Sequence, residues 1–132
     1  TNIFKDIKIN DDTFIDDDFF NKTDFLSINI TLEDRNINLV NKDYINKFKK
    51  NIFIINTARG EVVDEEDIID LINKGKVLGY ATDVIKEEHS SKATLLKLIS
   101  DPRILITPHI GGTAISAQEK AYKRVIKKLK SL

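Results

Sequence analysis

Residues 51–82 read NIFIINTARGEVVDEEDIIDLINKGKVLGYAT, and this stretch decides the fold. It begins with a run of β-branched and aromatic residues, 51–56, too short and too continuously apolar for an amphipathic helix, and reads as a buried strand. Asp64 then stands as a helix N-cap, followed by Glu65, Glu66 and Asp67 in the first turn, where carboxylates face the positive end of the helix dipole. Ile68, Leu71 and Ile72 recur at helical spacing, and Lys74-Gly75 marks the stop. Residues 77–82 return to strand. Strand, helix, strand within about thirty residues is the unit of a parallel sheet, because such a crossover packs back onto the sheet in one hand.

The same alternation extends outward. Residues 25–30 read as a strand and 41–48 as a helix before the central unit. After it, 95–99 gives a short helix ending ahead of Pro102, 104–107 a last strand, and a helix from about Thr113 carries the chain toward Leu132. The apolar positions Ala117, Ala121, Tyr122, Val125, Ile126 and Leu129 share a face of that helix, with Lys120, Lys123, Lys127 and Lys128 mostly opposite. The expected architecture is one α/β domain, a Rossmann-like parallel sheet with flanking helices.

Composition excludes several functions. The 132 residues carry 21 basic and 21 acidic side chains, so no positive field exists to hold nucleic acid or an anionic membrane. Cysteine is absent, which removes disulfides and thiolate metal sites. The acidic run Asp11, Asp12, Asp16, Asp17 and Asp18 lacks the Gly and Glu placement of a calcium loop and reads as loop plus helix N-cap, so no metal site is expected. The longest apolar run, 52–55, cannot span a bilayer, and no signal peptide opens the chain. A cytoplasmic protein with small-molecule partners is expected.

In a parallel sheet every strand ends at the same edge, and ligands bind in the crevice outside those ends. Three successive strands here deliver Thr57-Ala58-Arg59-Gly60, Thr82-Asp83-Val84 and Thr107-Pro108-His109-Ile110-Gly111-Gly112 to that edge. Arg59 offers a planar fork suited to a carboxylate. His109 is a proton carrier near neutral pH, and the glycines after it leave room for a flat ring or a substrate. A nearby carboxylate would orient the imidazole, and Glu87 and Glu88 are the candidates. His89, beside Glu88 in a polar loop, reads as a surface residue.

Residues 56–65 (NTARGEVVDE), 79–84 (GYATDV) and 107–112 (TPHIGG) together resemble, in order and spacing, the signature blocks of the D-isomer-specific 2-hydroxyacid dehydrogenases. The resemblance runs back through residues 27–59 without a gap and covers essentially the whole chain. It implies hydride transfer between NAD and C2 of a 2-hydroxy or 2-oxo acid, with NADP not excluded. It implies that Arg59 binds the substrate carboxylate and polarises the C2 oxygen, that His109 is the acid/base, and that Glu88, five positions after Asp83, is the helper carboxylate. The cofactor contacts it implies are Asn29, Ile30, Thr57, Ala58, Arg59, Asp83 near the nicotinamide carboxamide, His109, Ile110, Gly111 and Gly112. Departures from the family pattern are His89 where a Pro commonly follows the helper Glu, Thr31 where a Pro is usual, and Ala114 and Ser116 in place of a frequent Thr and Glu.

A dinucleotide site also needs a glycine-rich turn, and Gly60, Gly75, Gly79, Gly111 and Gly112 do not form one. The chain is therefore expected to be the later half of an NAD-binding domain, residues 1–132, with the glycine turn and the substrate domain outside it. On this reading the isolated chain binds NAD weakly and turns nothing over, and the strand at 25–30 lies at an exposed sheet edge that favours a homo-oligomer. A regulatory protein that senses NAD(H) with the same fold, or an inactive copy of it, is the alternative.

Overall fold

The computed structural model describes residues 17–86 and 92–129. Their elements in chain order are α1 (Asp17–Lys22), β1 (Phe25–Ile28), α2 (Lys42–Asn46), β2 (Ile52–Asn56), α3 (Glu65–Asn73), β3 (Val77–Thr82), α4 (Lys92–Ser100), β4 (Ile104–Ile106) and α5 (Ile115–Leu129), with short 3-10 turns at Asp34–Asn36 and Gly60–Val62. The strands form one sheet in the order β1-β2-β3-β4, and every neighbouring pair is parallel. The sheet is thus the expected Rossmann-like one, and β1 is an edge strand, as anticipated. No helix among the described residues is long and apolar enough to cross a membrane.

Local chemistry accounts for the central unit. Asp64 caps α3 by accepting the Asp67 amide at 3.1 Å. At the other end Gly75 adopts φ +72°, its amide bonds the Ile72 carbonyl, and the Lys76 amide reaches back to Leu71, the paired bonds of a Schellman cap. Asn41 caps α2 in the same way as Asp64 caps α3, taking the Tyr44 amide at 3.0 Å. Ile68, Leu71 and Ile72 bury the stripe read from the sequence against Val77, Tyr80 and the inward residues of β1 and β2.

The helix announced by the acidic run is α1, whose Phe19 and Phe20 meet Phe48 edge-on at 5.2 and 5.1 Å, so that two packed rings hold a helix of six residues. Of the run, Asp11, Asp12 and Asp16 lie outside the described residues. One feature differs from expectation: the sheet is buried on one face only. Leu26, Ile28, Ile52, Ile54 and Tyr80 are under 7% exposed, whereas Phe25, Phe53 and Leu105, which the register places on the opposite face, are 56%, 40% and 63% exposed. A continuous apolar run signals a strand covered on both sides, but no described element lies over this second face. Similarly, Tyr122 and Ile126 on the expected apolar face of α5 are exposed, and the side chains of Ala117, Ala121, Val125 and Leu129 lie outside the description.

Candidate functional site

The site lies along the carboxyl edge of the sheet. β2 alternates inward Ile52, Ile54 and then Asn56, which is fully buried. A buried amide must find partners for both its oxygen and its nitrogen. Asn56 Oδ1 accepts the Ala58 amide at 3.0 Å, and Nδ2 donates to the Arg59 carbonyl at 3.0 Å. The turn that presents Arg59 is thereby tied from beneath, with Ala58 buried and Thr57 and Arg59 directed outward. Thr57 Oγ1 donates to Asn29 Oδ1 at 3.0 Å and Asn29 Nδ2 to Ser27 Oγ at 2.8 Å, which joins the ends of β1 and β2. A cleft of about 550 Å³ opens there, lined by Asn29, Ile30, Thr31, Leu32, Thr57, Ala58 and Arg59. Arg59 Nη1 donates to the Ala58 carbonyl at 2.6 Å, so the guanidinium is held at the cleft wall while most of its donors face outward.

β3 and β4 build the other part of the edge. Asp83 follows β3 and takes three bonds from the chain that follows β4: Thr107 Oγ1 at 2.5 Å, the Ile110 amide at 3.0 Å and the Gly111 amide at 2.8 Å. The Thr107 hydroxyl first, then the Gly111 amide, hold the Asp83 carboxyl below the usual carboxylate range, with Ile110 and the charge of His109 adding to the effect. His109 itself is exposed and adopts φ +55°, the left-handed region that costs a side-chain-bearing residue about 1 kcal/mol or more. The bonds from Asp83 to the two residues after it, together with the His109 amide to the Thr107 carbonyl at 2.9 Å, hold that conformation.

Of the residues singled out from the sequence, Asn29, Ile30, Thr57, Ala58 and Arg59 line one cleft. Asp83, Ile110 and Gly111 form one hydrogen-bonded turn around His109, and Gly112 follows with nothing near the place a Cβ would occupy. Glu88, with Glu87 and His89, lies outside the described residues. Sequence reading missed the buried polar layer below the edge, which comprises Asn56, Glu65, Thr82 and the ring of Tyr80. Its signal was present, because Ile52, Ile54 and Asn56 share a strand face by the period of two, and an inward polar residue needs a reason to be there.

The residues present fit the nicotinamide half of a dinucleotide. The cleft combines apolar walls with amide, hydroxyl and guanidinium groups at the carboxyl ends of parallel strands. Residues 5–111 match the family model for the D-isomer specific 2-hydroxyacid dehydrogenase, NAD binding domain. The chain belongs to this family. Among its relatives, a hydroxypyruvate reductase of Thermotoga maritima is 32% identical over 113 residues, which is 86% of this chain and 37% of that protein. The crystal structure of a glyoxylate reductase from Paecilomyes thermophila superposes with a TM-score of 0.69 at 29% identity, over 87% of this chain and 34% of the other. A D-lactate dehydrogenase from Aquifex aeolicus, solved with NAD and lactic acid, gives the same TM-score at 24% identity, over 87% and 38% of the two chains, a likeness of fold. The 2-hydroxyacid dehydrogenase domain described here spans roughly a third of the length of the curated relatives it matches.

Proposed function

We propose that the full-length protein is an NAD-dependent oxidoreductase that interconverts a D-2-hydroxy acid and the corresponding 2-oxo acid. The observation that carries this reading is that the Arg59 turn and the His109 turn stand at the same carboxyl edge, on either side of the end of β3, with the cleft opening at the Arg59 turn. NAD, when bound, supplies or accepts the hydride at C2. Arg59 exchanges its bond to the Ala58 carbonyl for the substrate's carboxylate, a bidentate pairing that orients C2, and polarises the C2 oxygen. His109 gives a proton to that oxygen in reduction and removes it in oxidation. Glu88 is assigned, by the family resemblance, to orient the imidazole through its second nitrogen. Asn29, Ile30, Thr57, Ala58, Asp83, Ile110, Gly111 and Gly112 are the proposed lining of the cofactor site. A homo-oligomer belongs to the same reading; a strictly monomeric species in solution scattering at high concentration overturns that part.

The test is turnover of NADH by the full-length protein across a panel of 2-oxo acids. Arg59→Ala is expected to abolish turnover while NAD binding persists, and retained activity overturns the role given to Arg59. Binding of NADH without turnover of any acid points instead to an NAD(H)-responsive regulator.

A further inference from the structure

A glutamate in the first turn of a helix is ordinarily a solvated charge near the free amides. Glu65 opens α3, yet it is 3% exposed. A carboxylate withdrawn from water is retained where hydrogen bonds replace its hydration. Glu65 Oε1 accepts the backbone amide of Lys86 at 2.9 Å, across 21 residues of sequence. Lys86 lies on the chain that leaves β3 past Asp83, and Glu88 follows two residues later. The same segment is gripped elsewhere: the Val84 amide donates to Thr82 Oγ1 at 3.2 Å, and Lys86 Nζ donates to Asn38 Oδ1 at 3.2 Å. From the side of the Arg59 turn, a Cβ on Gly60 would stand 2.2 Å from the Ile85 carbonyl carbon and 2.4 Å from the Lys86 nitrogen. The backbone of Ile85 and Lys86 therefore lies directly against the residue that follows Arg59.

We propose that Glu65 is a positioning residue. By holding the Lys86 amide it fixes the chain that leaves β3, through Ile85 and Lys86, against Gly60, so that this segment and the turn carrying the substrate-binding arginine are held as one unit. The effect on turnover rests on the dehydrogenase reading; the effect on geometry does not.

Two substitutions separate reach from charge. Glu65→Gln keeps the length and an acceptor oxygen, and Glu65→Asp keeps the charge but withdraws it by one methylene. In amide exchange measured on this chain, Lys86 stays protected in Glu65→Gln and exchanges at least about tenfold faster in Glu65→Asp, the cost of a weakened hydrogen bond. In the full-length protein, kcat of Glu65→Gln stays within about twofold of the parent, and kcat of Glu65→Asp falls about tenfold or more with KM for NADH unchanged, because displacements near 1 Å reach about a hundredfold in rate. Equal Lys86 protection in the two variants, or Gln as impaired as Asp, overturns the proposal. Should Glu65→Asp fail to fold, Glu65→Met, matched to Gln in length without a strong acceptor, takes its place with the same expectations. If the full-length parent turns over no 2-oxo acid, the dehydrogenase reading fails, and the exchange data alone judge Glu65.

Discussion

Two turns reach the same edge of the sheet and are fixed in different ways. The Arg59 turn is tied from below by an uncharged amide, that of Asn56, which is itself fully buried. The His109 turn is tied from the side, near solvent, by the charged carboxylate of Asp83. A turn held from the core is as stable as the core and indifferent to pH. A turn held by a carboxylate can be released alone, by acid or by one substitution, while the domain stays folded.

Substitutions should break this comparison in a definite order. Gly60→Ala comes first: its Cβ would meet the backbone of Ile85 and Lys86, which has no rotamer to give way, and about 3 kcal/mol of unfolding free energy is expected to be lost in a denaturant titration. Asn56→Ala follows, leaving the buried Ala58 amide unsatisfied and removing one of the bonds to the Arg59 carbonyl, with a loss of about 2 kcal/mol by the same measurement. Asp83→Ala should lower global stability less than either, and its signature is local: amide exchange quickens at Ile110 and Gly111 and is unchanged at Ala58.

Acid should reproduce that local release without a mutation. The folded-state value of Asp83 lies below its ordinary 3.8, so its contribution is complete above that value and is lost as pH falls through the lower, folded one. In an acid titration followed by NMR, the amides of Ile110 and Gly111 are expected to move over that window while Ala58, whose partner does not titrate, stays still. The smallest effect is expected from Gly111→Ala. Its Cβ would meet only the tip of the Asp83 carboxylate, 2.9 Å away, and the loss should be about 0.5 kcal/mol or less by denaturant titration. A Gly111 variant as damaging as the Gly60 one would remove the distinction between the two turns.

Much of this arrangement is written in local pattern. The β-branched run before Asn56, the cap at Asp64 and the stop at Gly75 each act through neighbours a few residues away, and the strand and helix they specify are found where expected. The alternation of elements brought Arg59, Asp83 and His109 to one edge. What stayed hidden depends on partners distant in sequence. Nothing local marks Glu65 as buried, since its partner is 21 residues on. The open face at Phe25, Phe53 and Leu105 is a matter of what covers a strand, which the strand's own residues do not state.

Tyr80 lies under the Arg59 turn with its hydroxyl 3.5 Å from Asn56 Nδ2, and burial pushes its phenol above the ordinary value. The chain has no tryptophan and three tyrosines, so the near-ultraviolet signal of the protein belongs to very few rings. One of them is an optical gauge built into the floor beneath Arg59: with Tyr44, whose phenol burial also raises, replaced by Phe, the tyrosinate absorbance that appears last in alkali reports the layer on which the arginine rests.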